Sequence, residues 1–97
     1  MSLHFDVNSR EESYAARMLT KSLQERGYVI NANSGDYSIN FFIDKKGYGA
    51  EAFAIIPEGN VIKIIGGDYR GLIYGALSLS EDLRSEILLD NAVARSE

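Results

Sequence analysis

The sequence VIKIIGGDYRGLIYGALSLSEDL, from Val61 to Leu83, is the most informative part of the chain because it joins a strand, a glycine-rich turn and a helix. Residues 61–65 are the most apolar strand candidate of the chain, and the glycines that follow end it. From Leu72 onward the apolar residues recur at i, i+3 and i+4 spacing, which is typical of a helix packed on one side. The stretch therefore predicts a buried strand that passes directly into an amphipathic helix.

Another helix is predicted upstream, over residues 10–26, with a start and a stop signal. Ser9 and Glu12 form a capping box, in which the Ser9 hydroxyl accepts from the amide of Glu12 and Glu12 reaches back to the amide of Ser9. Gly27 stands where a residue with left-handed backbone ends a helix. In front of the helix, residues 3–7 alternate between apolar and polar, as a half-buried strand does.

The sequence between the two helices predicts strands. Residues 37–43 alternate between apolar and mostly polar side chains. Residues 51–56 and 61–65 are separated by a tight turn at 57–60, so they should be antiparallel neighbours. The predicted fold class is α+β, a β-α-β-β-β-α two-layer sandwich whose mixed sheet carries both helices on one face.

The chain of 97 residues is short enough to be a single domain over residues 1–97. Residues 28–32 favour one further short strand, and residues 87–89 a final strand or a docking arm. We expect the ordered core to span residues 3–84, with residues 85–97 as an arm or a cut linker.

Composition excludes several classes of function. There is no cysteine and only one histidine, His4, so we expect no metal site and no cofactor. The net charge of -4 argues against nucleic acid as a partner, and no apolar run is long enough to span a membrane. No signal peptide is recognisable, and the sequence leaves the oligomeric state and the localisation open.

The glycine-rich segment does not fit a phosphate site, because it lacks the G-x-G-x-x-G spacing and Asp68 puts a negative charge where phosphate would lie. We expect Asp68 to cap the second helix. Gly71 and Gly75 share one helix face and predict a close approach to the sheet, with Gly66 ending the strand and Tyr74 filling the core beside them.

Tyrosines and paired carboxylates are the remaining candidates for chemistry. Tyr37, Tyr48 and Tyr69 lie near predicted turns and could form a carbohydrate platform, whereas we expect Tyr14, Tyr28 and Tyr74 to border the core. The carboxylate pairs at 11–12 and 81–82 suit solvated helix positions better than catalysis, so no catalytic residue is assigned.

One stretch carries a family resemblance. Residues 61–83 resemble the signature that ends the small domain preceding the catalytic barrel in glycoside hydrolase families 20 (β-N-acetylhexosaminidases) and 67 (α-glucuronidases). The likeness covers residues 3–84, and the short first helix favours the α-glucuronidase-like proteins. The positions that match are Gly66, Asp68, Gly71, Tyr74, Gly75, Leu79 and Leu83.

The resemblance implies a non-catalytic accessory domain of an enzyme that degrades polysaccharides, periplasmic or secreted. The catalytic residues of such enzymes lie in a barrel of roughly 250 residues, which this chain does not contain. That barrel is the expected partner, and Tyr69 and Arg70 are candidate contacts to it. The alternative is a stand-alone module that binds an oligosaccharide or a protein.

Overall fold

The computed structural model describes residues 2–28, 38–84 and 95–96, which form five strands and two helices. The helices are α1 (Arg10–Glu25) and α2 (Tyr69–Arg84). The strands, in chain order, are β1 (Ser2–His4), β2 (Ser38–Ile43), β3 (Phe53–Glu58), β4 (Val61–Gly66) and β5 (Arg95–Ser96).

The strands form one mixed sheet in the order β1-β2-β4-β3-β5. β1, β2 and β4 run parallel to one another, whereas β3 is antiparallel to both β4 and β5. The helices pack on one face of this sheet, and the predicted α+β sandwich is confirmed. Because the three parallel strands share a direction, their carboxyl ends meet at one edge of the sheet, beside the start of both helices.

The core lies between the sheet and the helices. Alternate residues of β2 and β4 face it, and the register aligns Ile39 with Ile62 and Phe41 with Ile64. The helices contribute small and branched apolar residues from their inner sides, so the apolar positions at i, i+3 and i+4 are indeed the buried ones. The helical residues of the core are Ala15, Ala16, Leu19, Leu23, Leu72, Ala76, Leu79 and Leu83.

The β3–β4 hairpin has a shorter turn than the predicted 57–60. Glu58 pairs with Val61, so only Gly59 and Asn60 form the turn, and Gly59 has the positive φ of 61° that tight hairpins need at this position. Pro57 belongs to β3. Within the described residues β5 pairs only with positions 54 and 55, so Pro57 lies at an edge position where its missing N–H is tolerated.

The cap of α1 differs from the predicted box in one bond. Ser9 Oγ accepts from the Glu12 amide at 3.2 Å, as predicted, but Glu12 Oε1 accepts from the amide of Asp6 at 3.0 Å. The Ser9 amide is already used, since it donates to the carbonyl of Asp6 at 3.0 Å. At the other end Gly27 has φ +89° and ends the helix, as predicted.

The first strand is shorter than predicted. It ends at His4 because Asp6 Oδ1 accepts from the amide of Asn8 at 2.9 Å and turns the chain towards α1. Val7, expected in the strand, is consequently 73% exposed. The strand predicted at 28–32 and the arm at 87–89 lie outside the described residues, apart from Tyr28, which packs against the core.

Candidate functional site

The glycine-rich turn between β4 and α2 is tied to the loop that precedes β3. The amide of Gly67 donates to the carbonyl of Ala52 at 2.9 Å, and a Cβ at Gly67 would collide with the carbonyl oxygen of Gly49. A Cβ at Gly66 would likewise collide with the amide nitrogen of Leu72. The turn therefore needs residues without side chains because two backbone segments lie directly against it.

Asp68 connects this turn, the loop and α2 through its carboxylate. Oδ1 accepts from the Gly71 amide at 2.8 Å, which is a helix cap, and both oxygens accept from the Glu51 amide at 3.2 Å. The hydrogen bond from Gly71 is the largest cause that lowers the pKa of Asp68, with smaller contributions from the Glu51 amide and the Arg70 charge. The carboxylate occupies the start of α2, where a bound phosphate would otherwise lie.

Gly71 and Gly75 lie against the sheet side of the molecule. A Cβ at Gly71 would collide with the carbonyl oxygen of Ala52, whereas a Cβ at Gly75 would lie 2.8 Å from Ile64 Cγ2 and 3.3 Å from Phe53 Cδ2. Gly71 therefore lies against a backbone atom, whereas Gly75 lies against two side chains. These glycines let α2 approach β3 and β4 more closely than any side chain would allow.

Glu51 is the residue of this region that the sequence did not reveal. It has a left-handed backbone with φ 62°, which is uncommon for a residue with a side chain. Its carboxylate accepts from Arg70 at 3.3 Å, and both side chains are largely exposed. The segment GYGAEA offers no signal for this conformation, since the glycines flank the position and do not occupy it.

The tyrosines are distributed differently from the prediction. Tyr74 and Tyr14, both expected at the core, are 44% and 49% exposed. The reason is helical geometry: each lies two positions from buried residues of its own helix and therefore points to the other side. Tyr69 is 43% exposed and Tyr48 is half-buried, and their role as contact residues stays a prediction.

The platform of Tyr37, Tyr48 and Tyr69 stays a prediction, and the backbone of Tyr48 lies against Gly67, two residues before Tyr69. Tyr37 lies outside the described residues, and Tyr48 lies in the loop before β3, whereas Tyr69 begins α2. Tyr69 also lines a cleft of about 560 Å³ together with Phe42 and residues that follow β1. A second, smaller groove of about 310 Å³ runs between α2 and β3 and is lined by Glu51, Phe53, Tyr74, Leu77, Ser78 and Glu81.

The carboxylate pair at 11–12 has structural partners. Glu12 and Glu11 belong to the cap of α1, where Glu11 Oε2 accepts from the Ser9 hydroxyl at 3.4 Å. In the part of the chain that the structure describes, no group of three or more His, Asp or Glu residues is placed to hold a metal ion. Neither described helix is long and apolar enough to cross a membrane.

Comparison with known proteins supports a specific family. The family model described as glycosyl hydrolase family 20, domain 2 matches residues 2–88. The search of curated proteins gave no match. Among solved structures, a GH138 enzyme targeting pectin rhamnogalacturonan II is similar with a TM-score of 0.81 and 27% identity, over 99% of this chain and 11% of that one.

A further solved structure, CpGH84D, shares the fold with a TM-score of 0.65 and 18% identity, over 98% of this chain and 19% of that one. This chain thus spans about a tenth and a fifth of the two solved chains that it resembles. Because the family model covers almost its entire length, the chain belongs to the glycosyl hydrolase family 20, domain 2, family.

Proposed function

We propose that this chain is a non-catalytic accessory domain of a glycoside hydrolase, in which it supports a separate catalytic domain. The observation that carries the proposal is the family match over residues 2–88, together with similarity to only 11% and 19% of two larger solved chains. The domain itself would supply residues 3–84 as a packed core, to which β5 (Arg95–Ser96) adds an edge strand. The carboxylates of Glu12 and Asp68 act in helix caps and that of Glu51 in an exposed ion pair, which supports a structural role.

The catalytic domain would cover the outer surface of the helices. We define this helix surface by Tyr14 of α1 and by Tyr74 and Leu77 of α2, which are exposed or half-exposed. Tyrosines are enriched in protein interfaces because a large apolar ring carries a polar tip. The groove between α2 and β3, which Tyr74 and Leu77 also line, would receive side chains of the partner.

Arg70 remains a proposed contact to the catalytic domain. Its side chain is 76% exposed although it pairs with Glu51. An exposed pair of this kind stabilises a protein by at most about 1 kcal/mol, so the guanidinium could exchange Glu51 for a partner's carboxylate at little cost.

For the parent enzyme we propose a class of substrate and not a particular sugar linkage. The family 20 match supports a hexosaminidase-like parent, and the similarity to an enzyme that targets pectin supports polysaccharide degradation. The α-glucuronidase-like alternative depends on the shortness of α1, which has 16 residues. A parent that is active on aryl N-acetyl-β-hexosaminides and inactive on glucuronide-bearing xylan oligosaccharides would support the first over the second.

The test of the proposed function separates the domain from its enzyme. The 97-residue chain and the catalytic domain encoded with it are produced separately, and their binding is measured by calorimetry. We expect saturable binding, which Tyr14→Ala with Tyr74→Ala weakens, and no hydrolysis of aryl glycosides by the chain alone.

Phe42→Ala is the matched control, because Phe42 is equally exposed but lies outside the helix surface. Hydrolysis by the purified chain, or the same loss of binding in Phe42→Ala as in the tyrosine variant, would contradict the proposal.

A further inference from the structure

The cleft beside Tyr69 arises from a mismatch in strand length. β1 pairs with only the first half of β2, over Ser2–His4, and then leaves the sheet towards α1. β2 continues to Ile43, so its last residues have no neighbouring strand on that side among the described residues. The gap lies at the carboxyl ends of parallel strands, the place where open α/β sheets tend to bind ligands. Its volume of about 560 Å³ is within the range of small-molecule sites.

Two aromatic rings give this cleft an apolar surface that is not needed for the core. Phe42 is 44% exposed and Tyr69 is 43% exposed, and both line this open cleft, Phe42 from the sheet face opposite to the helices and Tyr69 from the start of α2. Phe5 and Phe41, which also line it, are in contact, with ring centroids 6.3 Å apart and planes tilted by 46°. The C–H faces of a pyranose ring pack on such aromatic surfaces, and an apolar body with a few polar groups is typical of ligand sites.

The polar groups at the cleft retain hydrogen-bonding capacity. Asn40 Oδ1 accepts from the Ser38 hydroxyl at 2.9 Å, and its amide donors have no partner among the described residues. Asp6 and Glu12 each use one carboxylate oxygen, for the amides of Asn8 and Asp6 respectively, and keep the other. A donor amide and two acceptor carboxylates match sugar hydroxyl groups, each of which donates and accepts.

The charge of the cleft selects among sugars. Two carboxylates line it, and none of its lining residues is lysine or arginine. A uronic acid would bring a third negative charge to the same place, whereas a neutral sugar brings none. We propose that this cleft binds a neutral oligosaccharide around the free edge of β2, with one sugar unit packed on Phe42 beside Asn40 and a neighbouring unit packed on Tyr69 beside Asp6 and Glu12. The proposal goes beyond the accessory function, because it gives the domain a ligand of its own.

The test uses the isotope-labelled 97-residue chain and amide chemical shifts. It is titrated with two neutral oligosaccharides, chitotetraose and xylotetraose, and with tetragalacturonate as an acidic one of equal length. We expect saturable shifts at residues 4–6, 40–43 and 69 with at least one neutral oligosaccharide. We expect no saturable shifts at these residues with tetragalacturonate.

Variants then assign the site. Phe42→Ala and Tyr69→Ala should each raise the dissociation constant at least about tenfold, as loss of a central aromatic contact does. Tyr69→Phe should bind nearly as well as the natural chain if stacking is the main role of this ring. Glu25→Ala, at an exposed position at the end of α1 and outside both proposed surfaces, should bind unchanged.

Four outcomes would overturn the proposal: flat titrations with both neutral oligosaccharides, shifts confined to other residues, tighter binding of tetragalacturonate, or unchanged binding in both alanine variants. None of them bears on whether the chain binds a catalytic domain. The two proposals can therefore fail independently.

Discussion

Asp68 joins the turn, the loop before β3 and α2. One carboxylate accepts from the amides of Gly71 and Glu51, which are separated in sequence but adjacent in the fold. These amides stabilise the charged form, so the pKa of Asp68 lies below its ordinary value of 3.8 in the folded chain. The carboxylate is accessible to solvent, and it therefore acts through local geometry rather than through burial.

The lowered pKa of Asp68 predicts a pH-dependent contribution to stability. Because the folded pKa is below the unfolded one, the contribution is fully present well above pH 3.8 and is lost as the pH falls through the folded value. Asp68→Asn should therefore be less stable than the natural chain at neutral pH, and the difference should shrink below pH 3.8. Urea unfolding from about pH 7 to about pH 2.5 measures it.

Glu25→Gln is the control for this pH series, since Glu25 is exposed at the end of α1. A stability difference between the Asp68→Asn variant and the natural chain that stays constant down to the lowest pH would contradict the assignment. It would mean that the carboxylate's charge contributes nothing and that the side chain matters only by its shape.

At Glu51 the backbone conformation and the side chain have opposite effects on stability. Its left-handed φ of 62° costs a residue with a Cβ about 1 kcal/mol relative to glycine, whereas its exposed pair with Arg70 stabilises by less than about 1 kcal/mol. Glu51→Gly and Glu51→Ala both lose the ion pair, and only the glycine variant relieves the backbone. We expect Glu51→Gly to be the more stable of the two by about 1 kcal/mol in urea unfolding; equal stabilities would show that the loop relaxes.

At the scale of elements, α2 shows how tertiary contact reverses a local preference. Glycine inside a helix costs about 1 kcal/mol relative to alanine, so Gly→Ala usually stabilises a helix. In α2 both interior glycines lie against other elements. The close packing of α2 on β3 and β4 therefore outweighs the helix propensity of its sequence.

This reversal predicts an order of stability for two substitutions. Gly71→Ala directs its methyl group at the backbone carbonyl of Ala52, which cannot move without disturbing the hydrogen bond from Gly67. Gly75→Ala would meet Ile64 Cγ2 at 2.8 Å and Phe53 Cδ2 at 3.3 Å, so a buried side chain must shift, but no backbone atom blocks the methyl group. We expect Gly71→Ala to lose about 3 kcal/mol or more and Gly75→Ala about 1 kcal/mol, measured by urea unfolding.

Gly49→Ala is the matched control for these substitutions. No atom lies within 4 Å of the position that a Cβ would take at Gly49, and its φ is not positive. Its substitution should therefore change the unfolding free energy by less than about 0.5 kcal/mol. If Gly75→Ala were more harmful than Gly71→Ala, the close approach of α2 to Ala52 would be excluded as the reason for the glycine.

The elements that could be predicted from the sequence are those whose signals are local. Both helices, the end of α1 at Gly27 and the β3–β4 hairpin follow from caps, periodicity and a short turn. Strand lengths were less predictable, since β1 ends where the Asp6 side chain turns the chain. Tyr14 and Tyr74 were placed wrongly because aromatic composition suggested burial, whereas helical geometry turns both outward.

At the scale of the molecule, the parallel pairing of β1, β2 and β4 and both candidate sites depend on contacts between distant segments. Glu51 and Asp68 are 17 positions apart, and no pattern in either segment indicates that they meet. The cleft likewise combines the end of β1, the end of β2 and the first residue of α2. Its aromatic and polar residues were each visible in the sequence, but their convergence required the topology.

The charge of the molecule is unevenly distributed. The chain has a net charge of -4, yet Arg10, Arg17 and Lys21 follow one another along the exposed side of α1, next to Tyr14. Neither of the two ion pairs found in the described residues involves them. If the catalytic domain covers the helix surface, this cationic row should face acidic groups, because complementary charge steers association.

Reversing two charges of this row tests the expectation. Arg17→Glu with Lys21→Glu should leave the unfolding free energy within about 0.5 kcal/mol of the natural value. It should slow association with the catalytic domain about tenfold or more at low salt, with a smaller effect at about 0.5 M salt, where charges are screened beyond a few ångströms. Stopped-flow fluorescence measures the association rates.

Lys45→Glu with Lys46→Glu is the control, because it lies in the exposed loop after β2 and changes the net charge equally. It should slow association much less. Equal slowing by both double variants would assign the effect to net charge and remove the cationic row from the interface.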